Sequence, residues 1–390
     1  MPTQTLIRSK LPQVGTTIFT VMSQLAQEHQ AINLSQGFPD FDPDPKLLTF
    51  VTEAMQKGFN QYAPMAGLPL LRERIAEKTA ALYGAEVHPM DEITVVSGAS
   101  EALFNAIMAL VEPGDEVIIF EPAYDLYTPA IQLAQGKVVP ISLNATDYSI
   151  PWAEVAQKLT PKTKLLILNT PHNPTGSILQ QTDFEQLTAL LVNHSAWVLS
   201  DEVYEHIIFD GHQHQSVLRY PALRERSLVV SSFGKTYHTT GWKIGYCIAP
   251  PALTAEFRKV HQFNTFSTPT PLQHALAAFL PFREAYLELS AFYQERRDFF
   301  AQLLAQTPFR LLPCQGTYFQ LASYGHLSQE PDTVYARRLT QEIGVASIPV
   351  SVFYTDQVDN KVIRFCFAKK YETMERAVER LVQHQAKLAS

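Results

Sequence analysis

Cysteine is scarce in this chain. Its three copies (Cys247, Cys314, Cys366) are odd in number and never spaced C-x-x-C, which excludes a disulfide framework and supplies no zinc ligand set, so no metal site is expected. Cys247 and Cys366 lie in apolar runs, where a thiol packs as a small hydrophobe. Charge is sparse as well, at 18% of the residues, and 31 Lys and Arg against 38 Asp and Glu leave a net charge of -7. Nothing in that balance draws the chain to nucleic acid or to an anionic membrane. Long hydrophobic runs are missing: the stretch from Ala106 to Val111 falls far short of the ~20 residues that span a bilayer. Met1-Pro2-Thr3-Gln4-Thr5 has no basic segment followed by an apolar one, so a cytoplasmic protein is expected. Neither a fixed-period repeat nor a low-complexity segment occurs, which removes solenoids and propellers. G-x-G-x-x-G is absent. Gly234-Lys235-Thr236 has the tail of a P-loop, but Val229 stands where its first glycine belongs, so the simple dinucleotide and ATP readings fail.

What remains is a chain with 46% hydrophobic residues, enough at 390 residues for two domains of roughly 100–200 residues each. Short apolar runs at Ile93 to Val96, Val117 to Phe120, Lys137 to Ile141, Lys164 to Leu168, Trp197 to Ser200 and Leu228 to Ser231 read as buried strands of a mostly parallel sheet. Helical patterns lie between them, as at Ser100 to Val111 and at Thr182 to Asn193, where Thr182 and Glu185 have capping-box spacing. Glu112-Pro113-Gly114-Asp115, Glu121-Pro122 and Asn173-Pro174-Thr175-Gly176 mark turns. This alternation predicts an α/β domain. After Ala249-Pro250-Pro251 the pattern changes to long helices (Ala252 to Asn264, Glu284 to Gln306). Strands follow near Leu311, Thr317 to Leu321, Val345 to Ile348 and Lys361 to Phe367, and a last helix runs from Tyr371 towards Gln385. That order predicts a smaller α+β domain. A helix around Thr17 to Gln30 and the Pro/Asp-rich stretch Phe38 to Pro45 make a segment too short for a domain, expected to pack on the C-terminal one.

In an open α/β sheet, ligands gather beyond the carboxyl ends of the strands. Ser97-Gly98-Ala99-Ser100, after the first run, is either a tight turn or a helix start whose N–H groups approach an anion. Glu121-Pro122-Ala123-Tyr124 places an aromatic ring at the sheet's mouth, or simply in the core. Asn169-Thr170-Pro171-His172-Asn173-Pro174-Thr175-Gly176 holds two asparagines between prolines, more than turn chemistry requires. Asp201, in Ser200-Asp201-Glu202-Val203-Tyr204, is a buried acid or a helix cap. Lys235 directly follows a strand, flanked by Ser232 and Gly234, with Lys243 eight residues on. That placement suits a Schiff base to an aldehyde cofactor beside a phosphate site.

These segments, together with Ile363-Arg364-Phe365-Cys366-Phe367, resemble in order and spacing the class I/II aminotransferases, from about Asn33 to the C-terminus. Ser35-Gln36-Gly37-Phe38-Pro39-Asp40-Phe41, Asn60-Gln61-Tyr62-Ala63-Pro64, Ser232-Phe233-Gly234-Lys235-Thr236-Tyr237-His238 and Gly316-Thr317-Tyr318-Phe319 are most similar to the bacterial methionine aminotransferases, relatives of the kynurenine and glutamine transaminases. The resemblance implies the fold type I architecture: a large domain with a mostly parallel seven-stranded sheet between helices, and a smaller α+β domain. The expected division is an arm over 1–44, a large domain over 45–282 and a small domain over 283–390. It implies pyridoxal 5'-phosphate (PLP) as cofactor and a ping-pong exchange between amino acids and 2-oxo acids. A homodimer with shared active sites is implied too, with no nucleic acid or membrane partner.

Residue by residue, the resemblance implies that Lys235 binds the cofactor covalently and moves the substrate proton. Asp201 pairs with the pyridinium nitrogen, Tyr204 and Asn173 bond its phenolic oxygen, and Tyr124 stacks on the ring. The phosphate falls to Ala99, Ser100, Ser232 and Lys243, with Tyr62 reaching from a partner subunit. Arg364 clamps the substrate carboxylate with Asn173 and the Gly37 backbone. Outside that context Arg364 reads as a surface or paired arginine, and Phe38 and Phe266 as core. Within it, Phe38, Tyr62 and Phe266 line an apolar side-chain pocket that suits methionine or aromatic amino acids, and Thr17-Ile18-Phe19 leaves open whether Ile18 or Phe19 meets the side chain. A cysteine-conjugate β-lyase or a kynurenine/glutamine transaminase of the same fold is the alternative.

Overall fold

The computed structural model describes residues 8–388; residues 1–7 and 389–390, with the Met1 to Thr5 stretch, lie outside the described residues. Among the described residues thirteen strands run in chain order: β1 (Ile32–Asn33), β2 (Ile93–Val96), β3 (Glu116–Glu121), β4 (Lys137–Ser142), β5 (Thr163–Asn169), β6 (Trp197–Asp201), β7 (Ser227–Ser232), β8 (Gly245–Ile248), β9 (Arg310–Leu311), β10 (Phe319–Ser323), β11 (Val345–Ala346), β12 (Ile348–Pro349) and β13 (Val362–Cys366). Seven of them form one sheet in the order β2-β8-β7-β6-β5-β3-β4. Strands β3 to β7 pair in parallel, and β8 alone runs against both neighbours, β2 and β7.

The two-residue period of a strand explains why this sheet is covered on both sides. Ile118 and Phe120 of β3, with Leu166 and Leu168 of β5, enter one core. Val117 and Ile119, with Leu165 and Ile167, enter the other, against the helix Gly98–Leu110. Every residue of β3 and β6 except Trp197 is buried, as a parallel sheet between helix layers requires. A four-stranded antiparallel sheet, β12-β13-β10-β9, and the parallel pair β1-β11 complete the framework. The pair β1-β11 ties the N-terminal segment to the chain beyond residue 340, with Ile32 opposite Val345.

Several elements depart from the sequence expectation. The capping box of the helix Gln181–Leu191 is made by Gln180 and Asp183, not by Thr182 and Glu185. Asp183 wins because its carboxylate takes the Gln180 amide at 2.7 Å and the Trp152 indole N–H at 2.8 Å. The strand expected over Thr317 to Leu321 is displaced to Phe319–Ser323. Thr317 has φ +65°, outside the β region, and its amide instead meets the Ile207 carbonyl at 2.9 Å. The long helix expected from Glu284 is broken at Glu288 into Glu284–Leu287 and Leu289–Leu304. Within the Pro/Asp-rich stretch, Asp44 caps and Pro45 opens a helix, Pro45–Gln56, the start signal that proline at the first helical position gives.

One buried polar cluster braces the segment after β6. Glu205 receives Lys78 Nζ at 2.7 Å and the Tyr246 hydroxyl at 3.0 Å on one oxygen, and the Tyr83 hydroxyl on the other. Burial alone would raise this carboxyl, but Lys78 beside it holds it well below the usual carboxylate range. Removing one member leaves a buried charge without its partner. Glu205→Ala is therefore expected to lower the unfolding free energy by about 3–5 kcal/mol in urea titrations, with the double variant Lys78→Met/Glu205→Leu losing less. Equal losses in the two proteins would show that the charge pairing is not what matters there.

Candidate active site

A cleft with an empty volume of about 690 Å³ opens at the carboxyl ends of the parallel strands. Ala99, Ser100, Tyr124, Asn173, Asp201, Tyr204, Ser232, Lys235 and Lys243, singled out from sequence, all line it. They arrive from five strand ends: Ala99 and Ser100 after β2, Tyr124 after β3, Asn173 after β5, Asp201 and Tyr204 at β6, and Ser232, Lys235 and Lys243 at and after β7. Asp201 ends β6, Ser232 ends β7, and Lys235 sits on the short helix Phe233–Thr236 that follows. Asn173 is held by its own amide bonding to the Asn169 side chain at 2.8 Å, at the end of β5.

Lys235 Nζ donates to the Tyr318 hydroxyl at 2.9 Å and to the Gly37 carbonyl at 3.4 Å, and Tyr318 itself donates to that carbonyl at 2.6 Å. Burial, with the positive charges of Lys243 and Arg364 added, pushes the Lys235 amine down to about 8. Asp201 accepts the Tyr127 hydroxyl at 2.7 Å, and burial pushes its carboxyl up to about 6. Burial likewise raises the Tyr204 and Tyr124 phenols. An amine of lowered basicity and a buried acid line the same cleft, an arrangement that functional sites favour.

Arg364, on β13, is buried with no ion pair among the described residues. Its guanidinium donates to the Asn173 side-chain oxygen at 2.7 Å and to the Ser35 carbonyl at 3.1 Å, and its Nε has no partner among the described residues. It lies 3.8 Å from the Phe319 ring centre, with Phe19 at 5.4 Å and Phe353 at 5.6 Å. Burial lowers it to about 10. Of the two residues left open at Thr17 to Phe19, it is Phe19 that faces the guanidinium.

Three expected residues are not brought into this cleft within one chain. Tyr62 is 84% exposed and touches Phe266, itself 43% exposed, edge to face at 5.5 Å. Phe38 is 44% exposed and lies under Lys369. The sequence reading missed Tyr318, Tyr127 and Phe353 as site residues. Tyr318 stood in the quoted segment Gly316 to Phe319. Tyr127 carried the fainter signal of a second tyrosine one helical turn past Tyr124.

Comparison with known proteins decides the family. Residues 29–381 match the family described as aminotransferase class I and II. The chain belongs to the class I and II aminotransferases. It is 53% identical over 377 residues to the methionine aminotransferase of Escherichia coli K12, covering 96% of this chain and 98% of that one. A crystal structure of an Escherichia coli protein reported with a methionine aminotransferase function superposes with a TM-score of 0.95 at 53% identity, over 97% of this chain and 99% of the other. The N-succinyldiaminopimelate aminotransferase of Mycobacterium tuberculosis gives a TM-score of 0.93 at 36% identity, over 97% and 100%. Kynurenine–oxoglutarate transaminase 1 of Mus musculus is 35% identical, over 92% and 93%.

Aminotransferases of this class are PLP-dependent, and the donor set here fits that group. Gly98 opens its helix at φ +74°, and a Cβ there would stand 3.2 Å from Lys243 Nζ. The glycine therefore leaves the helix start, with its unpaired N–H groups, open beside an ammonium, which is a seat for a phosphate. Lys243 makes no ion pair among the described residues. Asp201 supplies a buried acid for a ring nitrogen, and Lys235 an amine for an aldehyde. If burial sets the state of Lys235, the cofactor-free enzyme should react with an amine-selective reagent at Lys235 with a pH midpoint of about 8. Peptide mapping that gave a midpoint near the ordinary 10.5 would contradict this.

Proposed function

We propose that this aminotransferase moves the amino group of methionine, and of aromatic amino acids, to a 2-oxo acid by a ping-pong cycle. The observation that carries the reading is a buried guanidinium that makes no ion pair among the described residues, bonded to Asn173 of the cleft wall and walled by phenylalanines. Such a group seats an α-carboxylate by a two-pronged contact and leaves an apolar space beside it. The 53% identity to the Escherichia coli methionine aminotransferase supports methionine as donor. The kynurenine transaminases among the relatives support aromatic amino acids as further substrates.

Bound PLP supplies an aldehyde that takes up the amino group and a ring that accepts the electron pair freed at Cα. The chain's own residues do the rest. Arg364 and the Asn173 side chain fix the carboxylate, and Phe19 and Phe353 keep water from the side chain. Asn173 spends its oxygen on Arg364, so its side-chain N–H groups are left to donate towards the cofactor's phenolic oxygen, alongside Tyr204. Asp201, oriented by the Tyr127 hydroxyl, holds a proton on the ring nitrogen. Tyr124 covers the ring face. With the group bound, Lys235 Nζ would take the proton from Cα and give it back, and an amine whose basicity burial lowers suits both directions of that transfer. Ala99, Ser100, Ser232 and Lys243 hold the phosphate, and Gly37 lines the substrate side.

The same reading makes the enzyme a cytoplasmic homodimer whose Tyr62 completes the phosphate site of its partner, with Phe38 and Phe266 at the rim of the side-chain pocket. The exposed, mutually touching rings of Tyr62 and Phe266 support a covered surface there, and three free buried cysteines suit a reducing compartment. Residues 1–44, 45–282 and 283–390 are the proposed arm, cofactor-binding and small domains. No helix among the described residues is long and apolar enough to cross a membrane.

Mixing the holoenzyme with single amino acids tests the reading. Methionine should bleach the cofactor band with one equivalent of its 2-oxo acid released, and aspartate should have little effect. Lys235→Ala should slow the proton transfer by about 10²–10⁴-fold. Ammonia and pyruvate from cysteine conjugates, with no response to methionine, would establish a lyase instead.

A further inference from the structure

A second buried charge pair lies directly behind the helix start assigned to the phosphate. Glu101, in the first turn of the helix Gly98–Leu110, accepts His261 Nδ1 at 2.6 Å, the Asn105 side-chain amide at 2.8 Å and the Ser97 backbone N–H. On its far side, His261 Nε2 meets the Met65 carbonyl at 2.9 Å. The His261 ring is fully buried and Glu101 nearly so. With the Glu101 oxygens already receiving two other N–H donors, and a carbonyl at Nε2, the imidazole donates from both nitrogens. Burial alone would raise the Glu101 carboxyl, yet His261 and the Ser97 amide bring it below its ordinary value.

The geometry points to Glu101 and His261 as a positioning pair that joins the phosphate seat of one cleft to the loop carrying Tyr62. This rests on the proposed function, in which Tyr62 serves the partner's cleft. Two features support the assignment. First, the pair spans the two segments concerned: Glu101 fixes Ser97, next to Gly98, Ala99 and Ser100, and His261 fixes Met65, three residues past Tyr62. Second, the bracing continues on the loop side, where Ser267 Oγ bonds the Ala63 carbonyl at 3.0 Å and Thr270 Oγ1 the Gln61 carbonyl at 2.5 Å. Asn264, at the end of the His261 helix, bonds Asn105 at 2.8 Å. The positive ring also offsets the carboxylate, which would otherwise stand uncompensated behind a bound phosphate. A phosphate that orders Ser97 to Ser100 therefore also orders the Tyr62 loop, and by linkage dimer formation and cofactor binding strengthen each other.

Three variants test this: Glu101→Gln, His261→Gln and the double variant. Either single variant should weaken PLP binding by about 10–100-fold, the loss of a charge-assisted hydrogen bond, read from PLP release by the holoenzyme at a temperature where the cofactor-free form of the same variant is still folded. In sedimentation, added PLP should tighten the wild-type dimer by about 5–150-fold, and most of that gain should vanish in each single variant. The double variant removes the carboxylate and the imidazole together, leaving neither buried without its partner, and should recover PLP affinity towards wild type. Single variants with wild-type PLP affinity, or a double variant no better than the singles, overturn the proposal. Should the singles not accumulate as folded protein, the double variant decides alone: PLP affinity near wild type supports the pair, and a loss of about tenfold or more overturns it. A wild-type protein that binds PLP yet stays monomeric would instead defeat the dimer reading and the Tyr62 half of the link, leaving the affinity measurements to judge the phosphate half.

Discussion

An arginine sealed from water without an acid beside it is costly, because desolvating a charge is repaid only by a close opposite charge or by several well-placed acceptors. Arg364 has two hydrogen-bond acceptors among the described residues, the Asn173 side chain and the Ser35 carbonyl, with Asp125 acting on it through space and without an ion pair, and much of the architecture is arranged around keeping it there. Strand β13 supplies a rigid base between β12 and β10. The paired segment after β1 brings in the Ser35 carbonyl. Phe319, from β10, covers the guanidinium face, and Asn173 reaches it from the opposite sheet. Three distant parts of the chain thus converge on one cation, and in the proposed function the opposite charge they leave out is the one a substrate carboxylate carries.

The large sheet solves the complementary problem of holding several polar groups at one edge without loosening the core. Along the segment that closes β6, Asp201 and Tyr204 face the cleft, while Glu202 and Glu205 turn into the protein. Glu202 takes His214 at 2.8 Å and the Ser200 hydroxyl at 2.8 Å, and Glu205 takes Lys78. The residues that act on a ligand are therefore backed by residues already satisfied internally, which fixes their rotamers at little cost in mobility. Glu101 and His261 stand in the same relation to the phosphate seat.

Much of this was legible in the sequence. Six runs predicted as strands are strands, because a parallel sheet buried on both faces writes itself as short apolar blocks. The nine cleft residues were found because each follows such a block, where the fold places ligands. What was not legible depended on partners far away in sequence. Tyr318 enters the site because Thr317 takes a left-handed backbone conformation, which no periodicity announces. Tyr127 matters only once Asp201 is seen 2.7 Å away. The antiparallel β8, Gly245 to Ile248, was not singled out as a strand although Cys247 was read as lying in an apolar run, and the choice of Phe19 over Ile18 needed the position of Arg364.

The central claim is that the unpaired Arg364 is the carboxylate seat on which recognition depends. The direct measurement compares methionine with methionine amide, identical except for the negative charge, as ligands of the holoenzyme, following the cofactor spectrum. The account predicts that the amide binds weaker by about 10–100-fold, the worth of a charge-assisted contact, and that Arg364→Leu brings methionine down to the level of the amide. Equal affinity for the two ligands in the wild-type enzyme would contradict it.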